Sequence, residues 1–240
     1  MKGISLKNEV SLDDLRHISM PEETSTYVPV SHFDLATNIN KVANDMLCPH
    51  GYTFKEGRYG TARDGQRMFG LLSYKNGGNE MGCAVGFRNS YDKSMSAGMA
   101  VGGNVFVCDN LMFCGEVCVM RKHTKNVKDD LTKQIVGALY SQRNNFEEMQ
   151  QAMERLKSVD MTDDEGYRML GLLAGRGILS PTLLSVALKE WKAPMYTSFE
   201  KRSAWSLFNA VTESMKKLPP HQVFEKHIAA HEEFKELGEF

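Results

Sequence analysis

The sequence predicts an α+β protein: a curved antiparallel β-sheet over about residues 52–120, packed against one long helix and a C-terminal helical region. Three observations carry this. Glycines and short β-favouring runs concentrate between residues 51 and 115. Asn76-Gly77-Gly78-Asn79 is a strong hairpin signal between two such runs. From residue 127 onward apolar residues recur at helical spacing instead.

In chain order, residues 1–31 form an N-terminal arm with Pro21 and Pro29, extended apart from a short helix at 11–17. Ser31 is a helix N-cap, and Leu35, Ile39, Val42, Ala43 and Met46 then share one helical face. Cys48-Pro49-His50-Gly51 stops that helix. Expected strands are 67–74, 81–87, 95–101, 104–108 and 111–120, with a polar loop at 88–93 and a bulge or tight bend at Gly102-Gly103. Ile135, Val136, Leu139, Phe146, Met149, Met153 and Leu156 predict one helix from 127 to about 158, roughly 45 Å long at 1.5 Å per residue. Further helices fall at about 163–175, 181–191, 199–217 and 221–238. Residues 32–160 therefore read as an α+β sheet domain, and 161–240 as a helical region packed on the same core.

The 240 residues carry 42% hydrophobic and 25% charged side chains, an ordinary globular balance. The net charge of −1 gives no global attraction to polyanions, so any nucleic-acid contact must be local. No run approaches the roughly 18 apolar residues of a membrane span. The opening residues lack the apolar core of a secretory leader, so a cytoplasmic location in the host cell is expected. The cysteines, Cys48, Cys83, Cys108, Cys114 and Cys118, have no paired metal-site spacing and read as reduced core thiols. His227 and His231 lie one helical turn apart, but Ile228 stands where a zinc-protease motif needs Glu. No catalytic residue, cofactor or metal ligand is singled out.

Four polar groups remain as candidates. Residues 52–76 interleave Lys55, Arg58, Arg63, Arg67 and Lys75 with Tyr52, Phe54, Tyr59, Phe69 and Tyr74, a pattern suited to stacking bases and neutralising phosphates. Aromatic core residues would give the same spacing. Arg88-Asn89-Ser90-Tyr91-Asp92 follows a strand and is either a turn or an anion-binding loop. Asp109-Asn110 follows the next strand. Arg121-Lys122-His123, before the long helix, is either an anion site at a helix N-terminus or a solvated basic linker.

Three blocks also carry a resemblance: Gly86-Phe87-Arg88-Asn89-Ser90-Tyr91-Asp92; Val105-Phe106-Val107-Cys108-Asp109-Asn110 with Arg121-Lys122-His123-Thr124; and Ala204-Trp205-Ser206-Leu207-Phe208-Asn209-Ala210-Val211-Thr212-Glu213. Over about residues 66–215 the chain resembles the phage- and plasmid-associated family of domain of unknown function 932, with Tyr91 where the family usually has His. The resemblance implies a protein of a mobile element and marks Asn89, Asp92, Asn110, Asn209 and Thr212 as motif residues. The order of elements is also loosely similar to single-strand annealing proteins, which assemble as homo-oligomers.

The leading expectation is single-stranded nucleic-acid binding through the basic β face, with Lys55, Arg58, Arg63 and Arg67 on phosphate, joined by Arg121 and Lys122. Arg88, Ser90 and His123 complete the anion-binding candidates. The alternative is a non-enzymatic protein that binds a host or defence protein through its acidic tail, Glu232, Glu233 and Glu236. A third reading, an enzyme acting on a phosphorylated small molecule, requires Arg88, Ser90, Asp92 and His123 to converge on one point.

Overall fold

The computed structural model describes residues 8–77, 81–105 and 110–238. The chain is α+β, with a curled antiparallel sheet of six strands in the order β1-β2-β3-β4-β5-β6. The strands are β1 (Asn8–Val10), β2 (Tyr52–Ala62), β3 (Arg67–Asn76), β4 (Met81–Ser90), β5 (Ala97–Val105) and β6 (Asn110–Arg121). Helices are α1 (His32–Leu47), α2 (Val127–Ser158), α3 (Asp163–Gly175), α4 (Pro181–Lys192), α5 (Ala204–Met215) and α6 (Pro220–Lys235).

Two compact units divide these elements: Leu6–Gly102 with Gly115–Asn144, and Gly103–Cys114 with Asn145–Phe240. The first is called the sheet unit below and the second the helical unit. Their boundaries run through β5, β6 and α2 rather than through a linker near residue 160.

In the sheet unit, Ser31 caps α1 by accepting from Asp34 N–H, and Gly51 stops it at φ 86°, a left-handed backbone that suits glycine. The antiparallel register pairs Gly70 with Phe87, Leu72 with Val85 and Tyr74 with Cys83. Residues two apart share a face, so Met68, Gly70, Leu72 and Tyr74 line up beside Asn89, Phe87, Val85 and Cys83. This face meets α1. Asn44 Oδ1 accepts from the Tyr74 hydroxyl at 3.1 Å, and Asn40 Nδ2 donates to Tyr59 Oη at 3.4 Å, so both phenols keep partners when buried. Every residue of β4 is buried, which explains its long apolar run without clean alternation. Burial pushes the Cys83 thiol up to about 12, keeping it an inert thiol.

Several expectations shift. Residues 88–90 continue β4 instead of opening a loop, and β5 passes through Gly102-Gly103 as one strand. The arm contributes β1, paired with β2 from Tyr59 to Thr61, and a 3₁₀ turn at Asp14–His17. Leu131, Ile135 and Leu139 are buried along α2 as the periodicity requires, but Val136 is 40% exposed. One residue away from a stripe is a 100° rotation, enough to leave it. The hairpin residues 78–80, Phe146, and Cys108, Cys114 and Cys118 lie outside the described residues or side chains.

In the helical unit, α3 starts with a capping box between Thr162 and Glu165, and Pro181 opens α4 behind the Ser180 cap. α5 is buried along almost its whole length. Its Trp205 and Phe208 rings stack at 5.7 Å, and Phe208 meets Phe234 of α6 edge-on at 5.2 Å. No helix is long and apolar enough to cross a membrane among the described residues.

Candidate functional site

The polar candidates separate into one group in each unit. In the sheet unit the β2–β3 turn, the end of β4, the start of β5 and the end of β6 all lie at one end of the sheet. The register fixes this: Ala62 and Arg67 pair across the turn, Arg67 faces Ser90, and Gly98 stands against Val119 and Met120. Arg88–Asp92 and Arg121–His123 are therefore neighbours at the same end, whereas Asn110 begins β6 at the other.

A buried polar knot sits beneath this end. His32 Nε2 lies 2.9 Å from the Gly65 carbonyl, so this nitrogen carries the hydrogen, and Nδ1 accepts from Asn89 Nδ2 at 2.9 Å. Asn89 Nδ2 also donates to the Val30 carbonyl at 2.6 Å. The His32 ring stacks on Tyr91 at 3.8 Å with a 7° interplanar angle, and Tyr91 Oη accepts from His32 N–H. Burial depresses the His32 pKa to about 4; the Gly65 carbonyl opposes this and His123 adds to it. His123 is also buried, and burial lowers its pKa against opposing backbone groups of Val28 and Met95. Neither ring nitrogen of His123 has a partner at full hydrogen-bond geometry among the described residues. Asn89 thus ties the arm to β4, a structural role, and Tyr91 supplies the stacking partner for His32.

Above the knot are the charges. Arg63 is 68% exposed and reaches Asp92 at 4.0 Å. Asp92 is held more closely by Arg67 at 2.8 Å and by Ser94. Partial burial works to raise the Asp92 pKa, but Ser94 and Arg67 outweigh it and keep the carboxylate low. Lys93 Nζ stands 4.5 Å over the Tyr27 ring, whose other neighbour is the His123 ring at 5.4 Å. Lys122 and Lys125, which flank His123 in the chain, are exposed. Arg63, Asp64 and Gly65 all have positive φ (52°, 53° and 82°), a strained turn for the first two.

The remaining predicted residues have local roles. Ser90 is fully buried; its hydroxyl donates to the Met95 carbonyl and accepts from Met95 N–H. Arg88 is 8% exposed, with Nη2 3.6 Å from Met120 Sδ. Arg88 thus reaches Met120, Ser90 bonds Met95, and Asp92 bonds Arg67 and Ser94. Arg58 pairs with Glu9 at 2.8 Å. Lys55 and Lys75 lie toward the opposite end of the sheet, near Phe54, which is 39% exposed. Tyr59, Phe69 and Tyr74 are core. Of the acidic tail, Glu233 is paired with Arg176.

The second group is in the helical unit. Asn110 Nδ2 donates to both the backbone carbonyl and Oδ1 of Asn209, at 3.1 and 3.0 Å. Asn209 Nδ2 donates to the Trp205 carbonyl, and Thr212 Oγ1 to those of Phe208 and Asn209. All three side chains are buried. Residues Asn110 and Asn209, 99 positions apart, form one hydrogen-bonded pair that neither local pattern announced. His227 is buried as well, and burial brings its pKa down to about 4. No cluster of three or more metal-ligating side chains occurs among the described residues.

These features define a class: an α+β protein with a buried asparagine–histidine knot under a cationic sheet end and an asparagine pair in its helical half. Residues 27–232 match the family described as Domain of unknown function (DUF932), and the chain belongs to that family. No curated protein and no solved structure matches it.

Proposed function

We propose that this chain binds single-stranded nucleic acid as an accessory protein of a phage or plasmid, contacting the phosphate backbone at the cationic end of its sheet. The observation that carries the reading is the gathering of Arg63, Lys93, Lys122 and Lys125 there, all exposed. Asp92, the carboxylate that Arg63 reaches at 4.0 Å, is held more closely by Arg67. At about 4.8 Å between strands, β2 to β6 spans about 20 Å, the reach of several nucleotides. The mobile-element setting comes from the family resemblance. With Tyr59, Phe69 and Tyr74 in the core, base stacking contributes little, so binding should depend on phosphates and be indifferent to sequence.

Fluorescence anisotropy with a labelled oligothymidylate tests this. With four phosphate contacts, log affinity should fall against log salt with a slope of about −3. Arg63→Asn distinguishes function from folding: Asn tolerates the left-handed backbone, so stability should hold or rise by about 1 kcal/mol while affinity and salt slope both fall. No binding at low salt removes the proposal.

A further inference from the structure

A small cleft in the helical unit opens where the asparagine pair meets the end of α4. It is lined by Asn110, Glu190, Tyr196, Phe199, Asn209 and Glu213, among others, around about 10 Å³ of free space. That admits one group the size of a water molecule. Asn110 is 1% exposed, and while its Nδ2 is committed to Asn209, its Oδ1 has no hydrogen-bond partner among the described residues. A buried carbonyl oxygen without a donor is costly, so a donor is called for at this point. Of the other lining groups, Glu190 and Glu213 are carboxylates, one Glu190 oxygen accepting from Met195 N–H at 3.1 Å, and the Ser206 hydroxyl at the cleft donates away from it, to the Lys201 carbonyl. The Tyr196 and Phe199 rings meet edge-on at 6.2 Å on the remaining side. Glu213 already holds one ammonium, that of Lys216 at 2.6 Å.

Acceptors, negative charge and aromatic faces around a water-sized space match one chemical group. The geometry points to a binding site for a primary ammonium, presented at the end of an alkyl chain that leaves through the mouth of the cleft. An ammonium supplies three donors and a positive charge, whereas a water supplies two donors and none. The site is independent of the cationic sheet end and of what binds there.

The test uses the full chain and n-propylammonium, followed by the NMR signals of the Asn110 and Asn209 side-chain amides. Saturable shifts are expected with propylammonium, and at least tenfold weaker binding in Glu190→Gln, which keeps the shape and removes the charge. Asn110→Leu should abolish binding while its melting temperature reports whether it folds; if it does not, Glu190→Gln alone decides. Equal shifts with n-propanol, no saturable shift, or unchanged affinity in Glu190→Gln would each overturn the assignment.

Discussion

At the scale of single residues, the histidines are where stability and pH meet. His32 is held neutral by burial, with a hydrogen bond at each ring nitrogen, and the groups facing it are Tyr91, His123, the Asn89 amide and the Gly65 carbonyl. Its folded pKa of about 4 lies below the ordinary 6.5, so the unfolded chain binds a proton that the folded chain refuses. Stability is therefore full above pH 6.5 and falls as the pH drops from 6.5 towards 4. His227 follows the same sign. By pH 5 each should have lost about 2 kcal/mol, at about 1.4 kcal/mol per unit. Urea unfolding at pH 7.5 and 5.0 measures this; buried His123 adds to the loss with the same sign, and His32→Gln should remove the His32 share of the difference. A flat profile would mean that His32 is not held neutral. The sequence placed His32 only as the first residue after a cap. Its role depends on Gly65 and Asn89, which are 33 and 57 positions away, and nothing in local spacing encodes that.

At the scale of elements, the sheet was legible where strands are bounded by turns and less so where both faces are covered. The ends of β3 and the start of β4 follow from the turn residues between them. Arg88-Asn89-Ser90 looks like a loop because its side chains are polar, yet it finishes β4 buried, with the Asn89 amide nitrogen held by Val30 and His32 and the Ser90 hydroxyl by Met95. Glycine had a similar double meaning. Gly70 is not a turn residue but the floor beneath the Phe87 ring, its direct cross-strand neighbour, and a Cβ there would overlap that ring. The ring is 1% exposed and has little freedom to move aside. Gly70→Ala should then destabilise the protein by about 1–3 kcal/mol, despite alanine's lower conformational entropy when unfolded. The double variant Gly70→Ala with Phe87→Leu should recover part of that loss. Thermal melting of the three proteins checks it, and a stabilising Gly70→Ala would show that the ring yields.

At the scale of the whole molecule, the helical unit is assembled from distant parts of the chain. The sequence suggested a division near residue 160, where the long helix ends. Instead Gly103–Cys114 and Asn145–Ser158 belong with α3 to α6. The cause is specific: Asn110 reaches the backbone and side chain of Asn209, and the Leu111 backbone faces buried His227. Met149, Met153 and Leu156 are buried as well. Such pairings across about 100 residues leave no periodic trace in either segment, although the asparagines themselves stood out as motif residues. A chain ending at residue 160 would strip these residues of their partners, exposing three large apolar side chains and the Asn110 amide. The expected outcome is a fragment in which amides 103–105 and 110–114 exchange with solvent at unprotected rates, with a broadened melting transition. The full chain should protect the same amides strongly, because opening them there requires breaking the Asn110–Asn209 bonds. Equal protection in both would mean that the segment folds with the sheet alone. In that case the asparagine pair would be a contact made after folding rather than a condition of it.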